Sequence, residues 1–352
     1  MSTPAPASAR LRVLTAAAAV LLFTSACTAE ERSAPSPGVD GRTRDLSFSV
    51  DGGAVFATFT APDSTVGTVP GALIISGSGG TDRDGNAEVR PDADTNLNFS
   101  RVLAEAGVAS LRYDKLGSGE TGLGGLDPDA EVDPEVFDRQ MTAAYEELLA
   151  QPEVDPERTV IVGHSEGSLY ALRAHELLEG SPALVLAAPP GTRMLDVIDR
   201  QLTEQVRRAE ASGRLGGSEA VDTLSYARAA RAALRGGRDL PEDAGGLTGI
   251  FSENNVGFLR WIDAFDPVDL ARDLPADTPV LVLWGEEDAQ ISRDEVDRLM
   301  TGLSDAERVD VPGADHIFRE FEDGPGATVL DADRPFAPEV APALEGFLDD
   351  AW

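Results

Sequence analysis

Only one cysteine and three histidines occur among the 352 residues, and Lys115 is the sole lysine. Cys27 by itself rules out an intramolecular disulfide framework, and no cysteine cluster exists to hold zinc. With His164, His175 and His316 as the only imidazoles, a multi-histidine metal centre is disfavoured as well. Positive charge is scarce: 29 Lys and Arg face 62 Asp and Glu, a formal net charge of −33. Such an excess repels phosphate backbones and argues against a nucleic-acid partner. It says nothing about fold and reads as a solvated surface rich in Arg, Asp and Glu. No internal repeat is present, and no apolar run reaches the ~20 residues that span a bilayer. The 42% hydrophobic share nevertheless excludes a mostly disordered chain, and the length suits one large domain or two small ones.

At the N-terminus, Arg10 and Arg12 precede an apolar run from Val13 to Phe23, followed by Thr24-Ser25-Ala26-Cys27. A basic head, a short greasy core and a small-residue exit form the layout of a secretory signal. The cysteine at the exit resembles a bacterial lipobox, with Thr24 where an aliphatic residue is usual. That resemblance implies a lipoprotein-type signal peptide over residues 1–26 and a lipid on Cys27. The mature chain would then sit on the extracytoplasmic face of the cell membrane, with simple secretion as the alternative. Residues 27–42, polar and Pro-rich from Glu30 to Pro37, read as a flexible tether.

Leu46 to Val50 and Val55 to Phe59 nearly alternate around Asp51-Gly52-Gly53, the pattern of a hairpin. Beyond it the rhythm changes to continuous apolar runs at Ala72 to Ile75, Val108 to Leu111, Thr159 to Val162, Ala183 to Ala188, Val280 to Trp284 and Val309 to Val311. Continuous hydrophobicity suits strands buried on both faces of a parallel sheet. Helices are expected over Leu97 to Ala106, Pro134 to Ala150 with Asp133 as cap, Ser168 to Leu178, and Pro338 to Leu348. Between Gly191 and Asp277 no strand candidate appears, but Met194 to Glu210 and Glu219 to Leu234 carry helical periodicity. The expected architecture is α/β: a mostly parallel sheet with a leading antiparallel hairpin. Residues 43–190 and 278–352 form its core, and residues 191–277 a helical lid inserted over it.

The chemistry concentrates in Gly163-His164-Ser165-Glu166-Gly167, where a strand runs into G-x-S-x-G and a helix follows. A serine on so tight a turn needs glycine at the flanking positions, since side chains there would collide with neighbouring elements. The turn lifts Ser165 Oγ above the sheet edge, and the helix N-terminus beneath favours developing negative charge. A serine is a poor nucleophile without a base. His164 is its neighbour and points away, and His175 lies more than two turns along the helix, so His316 remains. Asp288, in Trp284-Gly285-Glu286-Glu287-Asp288, is the expected carboxylate partner, because it falls between serine and histidine in chain order. Glu286 and Glu287 are the alternatives. Asp315 is less suitable, because sequence neighbours rarely present side chains to one another. Backbone N–H groups of Glu166 and of Ser78, in Ser76-Gly77-Ser78-Gly79-Gly80, are the candidate oxyanion donors.

With these residues in place the chain resembles the α/β-hydrolases of the serine esterase type. Gly77 to Gly85, Arg112-Tyr113-Asp114-Lys115-Leu116-Gly117-Ser118-Gly119, Gly163 to Gly167, Gly285 to Asp288 and Asp315-His316 carry the resemblance, from about residue 45 onward. Ser76 stands where many members have histidine. The resemblance implies an α/β-hydrolase fold that uses no metal and no organic cofactor, and a small-molecule acyl substrate.

Gly117-Ser118-Gly119-Glu120-Thr121-Gly122 matches a dinucleotide fingerprint, but Leu123-Gly124-Gly125 follows where a helix should open, so a loop is expected. Asp82, Asp84 and Asn86 begin like a calcium loop, yet Ala87 and Ala93 replace its glycine and glutamate. An ion-paired turn is the better reading. In the lid, Leu195, Ile198, Leu202, Leu224, Tyr226, Phe251, Phe258, Leu259 and Trp261 are candidates for an acyl-binding wall or for ordinary packing. The expected activity is carboxylic ester hydrolysis. A thioesterase, peptidase or β-lactam hydrolase would use the same constellation, and a catalytically silent binding lipoprotein is the alternative outside enzymes. If Cys27 carries the anchor, Cys27→Ala moves the mature chain from the membrane to the soluble fraction. Continued partition into membranes would refute lipidation.

Overall fold

A computed structural model describes residues 41–63, 67–126, 132–242, 246–321 and 330–352. The expected signal, Cys27 and the tether up to residue 40 lie outside them. β1 (Gly41–Val50) and β2 (Gly53–Pro62) form the antiparallel hairpin, with β1 starting slightly ahead of the boundary expected at residue 43. Asp51 and Gly52 both take positive φ (53° and 85°) in its turn. That two-residue geometry matches the twist of the strands, and Asp-Gly tolerates it. β3 (Val69–Ile75), α1 (Thr95–Glu105), β4 (Ala109–Tyr113), α2 (Val136–Leu149), β5 (Val154–His164), α3 (Gly167–Leu177) and β6 (Ala183–Ala187) follow. Between β6 and β7 the described residues hold helices alone: α4 (Met194–Ala211), α5 (Gly217–Arg235), α6 (Glu253–Ile262) and α7 (Pro267–Asp273). β7 (Val280–Gly285), α8 (Arg293–Met300), β8 (Glu307–Val311) and α9 (Val340–Ala351) complete the chain.

The strands make one sheet in the order β1-β2-β4-β3-β5-β6-β7-β8, parallel from β4 through β8. This is the mostly parallel sheet with a leading hairpin that the apolar runs predict. Successive residues of each buried strand serve opposite faces. Leu73, Ile75, Ile161, Leu186 and Trp284 pack with residues of α2, α3 and α4. Ala72, Ile74, Val162, Val185 and Leu283 pack with Phe99 and Leu103 of α1 and Leu344 and Phe347 of α9. Both faces are therefore dry, which is why the strands read as continuous rather than alternating. After β3 the chain moves outward to β4 and then crosses to the far side of β3 for β5. The carboxyl ends of β3 and β5 thus flank the point where strand order reverses, the place where open α/β sheets bind ligands.

Several expected ends move by two residues or more, with β5 starting at Val154, α1 at Thr95 and α9 at Val340, and the start of α2 also loses its expected cap. α2 begins at Val136 with Glu135 as its N-cap, not at Pro134 capped by Asp133. The Asp133 carboxylate accepts the Glu135 N–H (3.1 Å), and its carbonyl accepts that of Val136 (3.0 Å). Asp133 therefore closes a turn ahead of the helix. On the face covered by the helices of 191–277, Arg173 of α3 holds Asp138 of α2 through two hydrogen bonds (2.6 and 2.8 Å), and its guanidinium lies 4.0 Å from the Phe265 ring centre.

The loop after β3 is tightly braced. Ser76 Oγ donates to the Asp82 carbonyl and accepts from Asn96 Nδ2, both at 2.8 Å. Asp82 Oδ1 accepts the N–H groups of Asp84 and Asn86 (2.9 Å each). Arg112 pairs with Asp84 (2.7 Å), and Arg83 with Asp114 (3.0 Å). Asp82-Arg83-Asp84 is an ion-paired turn. The glycines of 117–122 form a loop without a helix, Gly117, Gly119 and Gly122 all having positive φ.

Burial raises the Asp82 carboxyl from 3.8 to about 6, opposed by the Asn86 N–H and reinforced by the charges of Asp84 and Asp114. The folded state thus holds this proton more tightly than the unfolded chain. Its stabilising effect is complete below about pH 4 and is lost as pH rises through 6. Above that, the ionised group costs on the order of 3 kcal/mol. Asp82→Asn should leave Tm unchanged near pH 4 and raise it increasingly up to pH 7. A gain independent of pH in thermal melts would contradict this.

Candidate active site

β5 ends at His164 and α3 begins at Gly167, leaving Ser165 and Glu166 to turn the chain. Ser165 has φ of 52°, a left-handed conformation that costs a non-glycine residue about 1–2 kcal/mol. The strain is held by the Ser165 N–H bond to the Ala187 carbonyl (2.8 Å) and by the Ser168 Oγ bond to the Gly163 carbonyl (2.8 Å). A Cβ on Gly163 would stand 2.5 Å from the Gly167 carbonyl oxygen, and one on Gly167 would strike the Ile75 carbonyl oxygen. These two approaches are the physical content of the G-x-S-x-G spacing.

From the end of β7, the Asp288 side chain is wholly buried and hydrogen-bonded at both oxygens. Oδ1 accepts the N–H groups of Gln290 (2.7 Å) and Ile291 (2.9 Å), and Oδ2 accepts His316 Nδ1–H at 2.8 Å. With Nδ1 donating, the other nitrogen of His316 is left as a base. Glu286 and Glu287 are exposed, and Glu286 pairs with Arg293 (3.2 Å). Asp315 is committed elsewhere: Oδ1 braces the N–H groups of Ile317 and Arg319, and Oδ2 faces Arg334 (2.8 Å) and Arg90 (3.5 Å). His175 Nδ1 sits 3.1 Å from the Leu172 carbonyl, on the last turn of α3.

His164, set aside in the sequence reading, joins the two halves. Its Nε2 lies 2.9 Å from the His316 carbonyl, and the two rings are 4.9 Å apart. A carbonyl can only accept, so Nε2 carries the proton. Burial first, and the neighbouring His316 second, pull the His164 pKa from 6.5 down to about 3. A permanently neutral ring adjacent to Ser165 thereby fastens the His316 main chain beside the nucleophile turn. The Ser165 hydroxyl makes no hydrogen bond among the described residues. Contacts of this kind commonly tighten only when substrate binds.

Ser78, Ser165 and Glu166 line one small cavity. Met194, Val197 and Ile198 of α4, together with Ile291, supply its apolar wall, and Gln201 and Gln290 its polar side. Of the nine apolar residues singled out between 191 and 277, only Ile198 reaches it. Leu195, Leu202, Phe251 and Leu259 are core, while Tyr226, Phe258 and Trp261 pack partly buried against that core. Helical periodicity identified the buried stripe without telling which end of α4 overlies the serine. The N–H groups of Ser78 and Glu166 have no acceptor among the described residues. No group of three or more His, Cys, Asp or Glu that could hold a metal ion occurs among them either.

A family model described as "Alpha/beta hydrolase family" matches residues 73–332. Among curated proteins no significant match was found. Est1E from Butyrivibrio proteoclasticus is 16% identical over 87% of this chain and 98% of its own, with a TM-score of 0.52. It has also been solved with ferulic acid bound. Proline iminopeptidase from Mycobacterium smegmatis is 17% identical over 88% of this chain and 98% of its own, TM-score 0.54. Hypothetical protein PA2218 from Pseudomonas aeruginosa is 16% identical over 90% and 95%, TM-score 0.54. At these identities the likeness concerns the fold alone.

The buried, neutral His164 makes stability depend on pH. Its folded pKa is depressed, so its contribution is complete above about pH 6.5 and is lost progressively as pH falls toward 3. In urea unfolding between pH 6.5 and 4, the wild type should lose stability more steeply than His164→Gln. The difference in slope approaches about 1.4 kcal/mol per pH unit, one proton. Parallel slopes for the two proteins would overturn the assignment.

Proposed function

As the chain belongs to the alpha/beta hydrolase family, we propose that it is a serine hydrolase of carboxylic esters acting through Ser165, His316 and Asp288. The observation that carries the reading is the 2.8 Å bond from His316 Nδ1 to a fully buried Asp288, which leaves the opposite ring nitrogen free to act as a base, while His164, the residue before the strained Ser165, holds the His316 carbonyl. Ser165 Oγ attacks the ester carbonyl while its proton passes to His316 Nε2. The Asp288 carboxylate stabilises the imidazolium without taking the proton. The resulting oxyanion is received by the N–H groups of Ser78 and Glu166. Collapse breaks the ester C–O bond, and the departing alkoxide takes the proton from His316. Water then loses a proton to His316, attacks the acyl-serine, and releases the carboxylic acid and free Ser165.

An ester, rather than a peptide with a free amino terminus, suits the cavity. An aminopeptidase needs a carboxylate to hold the substrate's ammonium, and the sole acidic residue on the lining, Glu166, is paired with Lys115 at 3.0 Å. The wall from Met194 to Ile198 fits a compact acyl group. The lipobox-like Cys27 extends the proposal to a place of action on the outer face of the cell membrane.

In hydrolysis of p-nitrophenyl acetate, Ser165→Ala should lower kcat by at least about 10⁴-fold, and Asp288→Asn by a similar factor. Ser165→Ala should also abolish labelling by a fluorophosphonate probe. Turnover that survives in Ser165→Ala would end this reading, and a wild type that neither turns over the ester nor takes the probe would leave the silent binding lipoprotein in its place.

A further inference from the structure

We propose that Lys115, the only lysine in the chain, is a positioning residue that orients the oxyanion-binding Gly77–Ser78 peptide and ties it to the nucleophile turn. This inference rests on the ester-hydrolase reading above. Lys115 follows β4 in a loop beside the ends of β3 and β5, and its side chain is 4% exposed. Its ammonium donates to the Gly77 carbonyl at 2.8 Å and to Glu166 Oε1 at 3.0 Å, and lies 5.5 Å from the Tyr170 ring centre.

The consequence follows from the geometry of one amide. The Gly77 carbonyl and the Ser78 N–H belong to the same planar trans peptide, so they point in opposite directions. An ammonium fixed on the carbonyl side turns the Ser78 N–H away from itself, toward the cavity it shares with Ser165. Positive charge at the carbonyl oxygen also polarises the amide and strengthens the N–H as a donor. The same ammonium holds the side chain of Glu166, whose backbone N–H is the second donor. One buried charge thus sets both donors relative to each other. The loop has little slack, since a Cβ on Gly77 would stand 3.3 Å from Ser165 Cβ, and Thr81 Oγ1 clamps the Ser78 carbonyl at 2.8 Å.

Lysine is the residue for this place. A compact ammonium can bridge a carbonyl and a carboxylate in a small buried space, where the planar fork of arginine demands more room. The pair is not explained as a source of stability, since desolvating two charges offsets most of their attraction. Glu166 Oε2 has no hydrogen-bond partner among the described residues, so the carboxylate is incompletely satisfied there.

Lys115→Met alone would strand a buried carboxylate and could unfold the chain, so the decisive variant is Lys115→Met/Glu166→Gln, which removes both charges. Its kcat for p-nitrophenyl acetate should fall roughly 100-fold, the effect of losing one oxyanion donor, with KM nearly constant. Inhibition by a trifluoromethyl ketone, which forms an oxyanion on Ser165, should weaken by the same factor. A crystal structure of the double variant should show the Gly77–Ser78 peptide rotated. A folded double variant with wild-type kcat, or with the peptide unmoved, would overturn the proposal and reduce Lys115 to a counter-ion of Glu166. Failure of the ester-hydrolase reading, by contrast, would appear in the wild-type chain itself. The peptide's orientation in the double variant tests the positioning role whatever the substrate.

Discussion

Ile75 lies opposite Gly163 in adjoining parallel strands, and His164 lies opposite Ala187 in the next pair. Because the strands are parallel and in register, their carboxyl ends finish at one level. Everything at the site is an extension of that level. β3 ends just below the Gly77–Ser78 peptide, β5 just below Ser165, and β7 ends at Gly285, three residues before Asp288. Glycine at 285 lets the β7 loop meet the one that carries His316, since a Cβ there would strike the Ala314 carbonyl oxygen. The Glu287 N–H to Ala314 carbonyl bond (2.9 Å) then joins the two loops. A change of register in any central pair would separate groups whose usefulness depends on contact, which is why the dry core on both faces matters to chemistry as much as to stability.

Charge plays a second, local role in this acidic chain. Arginines are placed between elements more than along them. Arg173 links α3 to α2, Arg235 reaches from α5 to Asp196 of α4 and to Asp263, and Arg298 of α8 holds Asp266 at the start of α7. Buried and half-buried pairs of this kind add little net stability but penalise every arrangement that breaks them. They therefore specify how the helices of 191–277 sit against the sheet, and so how α4 comes to overlie the serine. The large net negative charge is what remains on the surface after these pairings.

Most of the architecture was legible in the sequence because doubly buried strands leave continuous apolar runs and because a tight strand-to-helix turn demands its glycines. Ser165, His316 and Asp288 could be chosen by chain order and by elimination among three imidazoles, and the structure brings Asp288 and His316 into contact. What could not be read were roles created by neighbours distant in sequence. His164 points away from Ser165, as a sequence neighbour should, and pointing away is what lets it grip the carbonyl of residue 316. Lys115 carried one signal, its singularity, and a lone lysine among arginines reads as surface until a carbonyl and a carboxylate are seen around it. An aspartate ahead of a proline looks like a helix cap in sequence, but the Asp133 side chain closes a turn before α2 begins.

The cavity wall and the base's carboxylate are not independent. Asp288 is fixed by the N–H groups of Gln290 and Ile291. The carbonyl of the same Gln290 accepts from Arg200 and from Gln201 (3.2 Å), both on α4, while Arg200 also pairs with Glu295 of α8 at 2.5 Å. Met194, Val197 and Ile198, on the same helix, line the cavity they share with Ser165. The Gln290–Ile291 peptide therefore connects α4 directly to the carboxylate that accepts from His316 Nδ1. Under the proposed function, the fit of the acyl group and the placement of the base would depend on the same few hydrogen bonds, so that specificity would act on the rate constant as well as on binding.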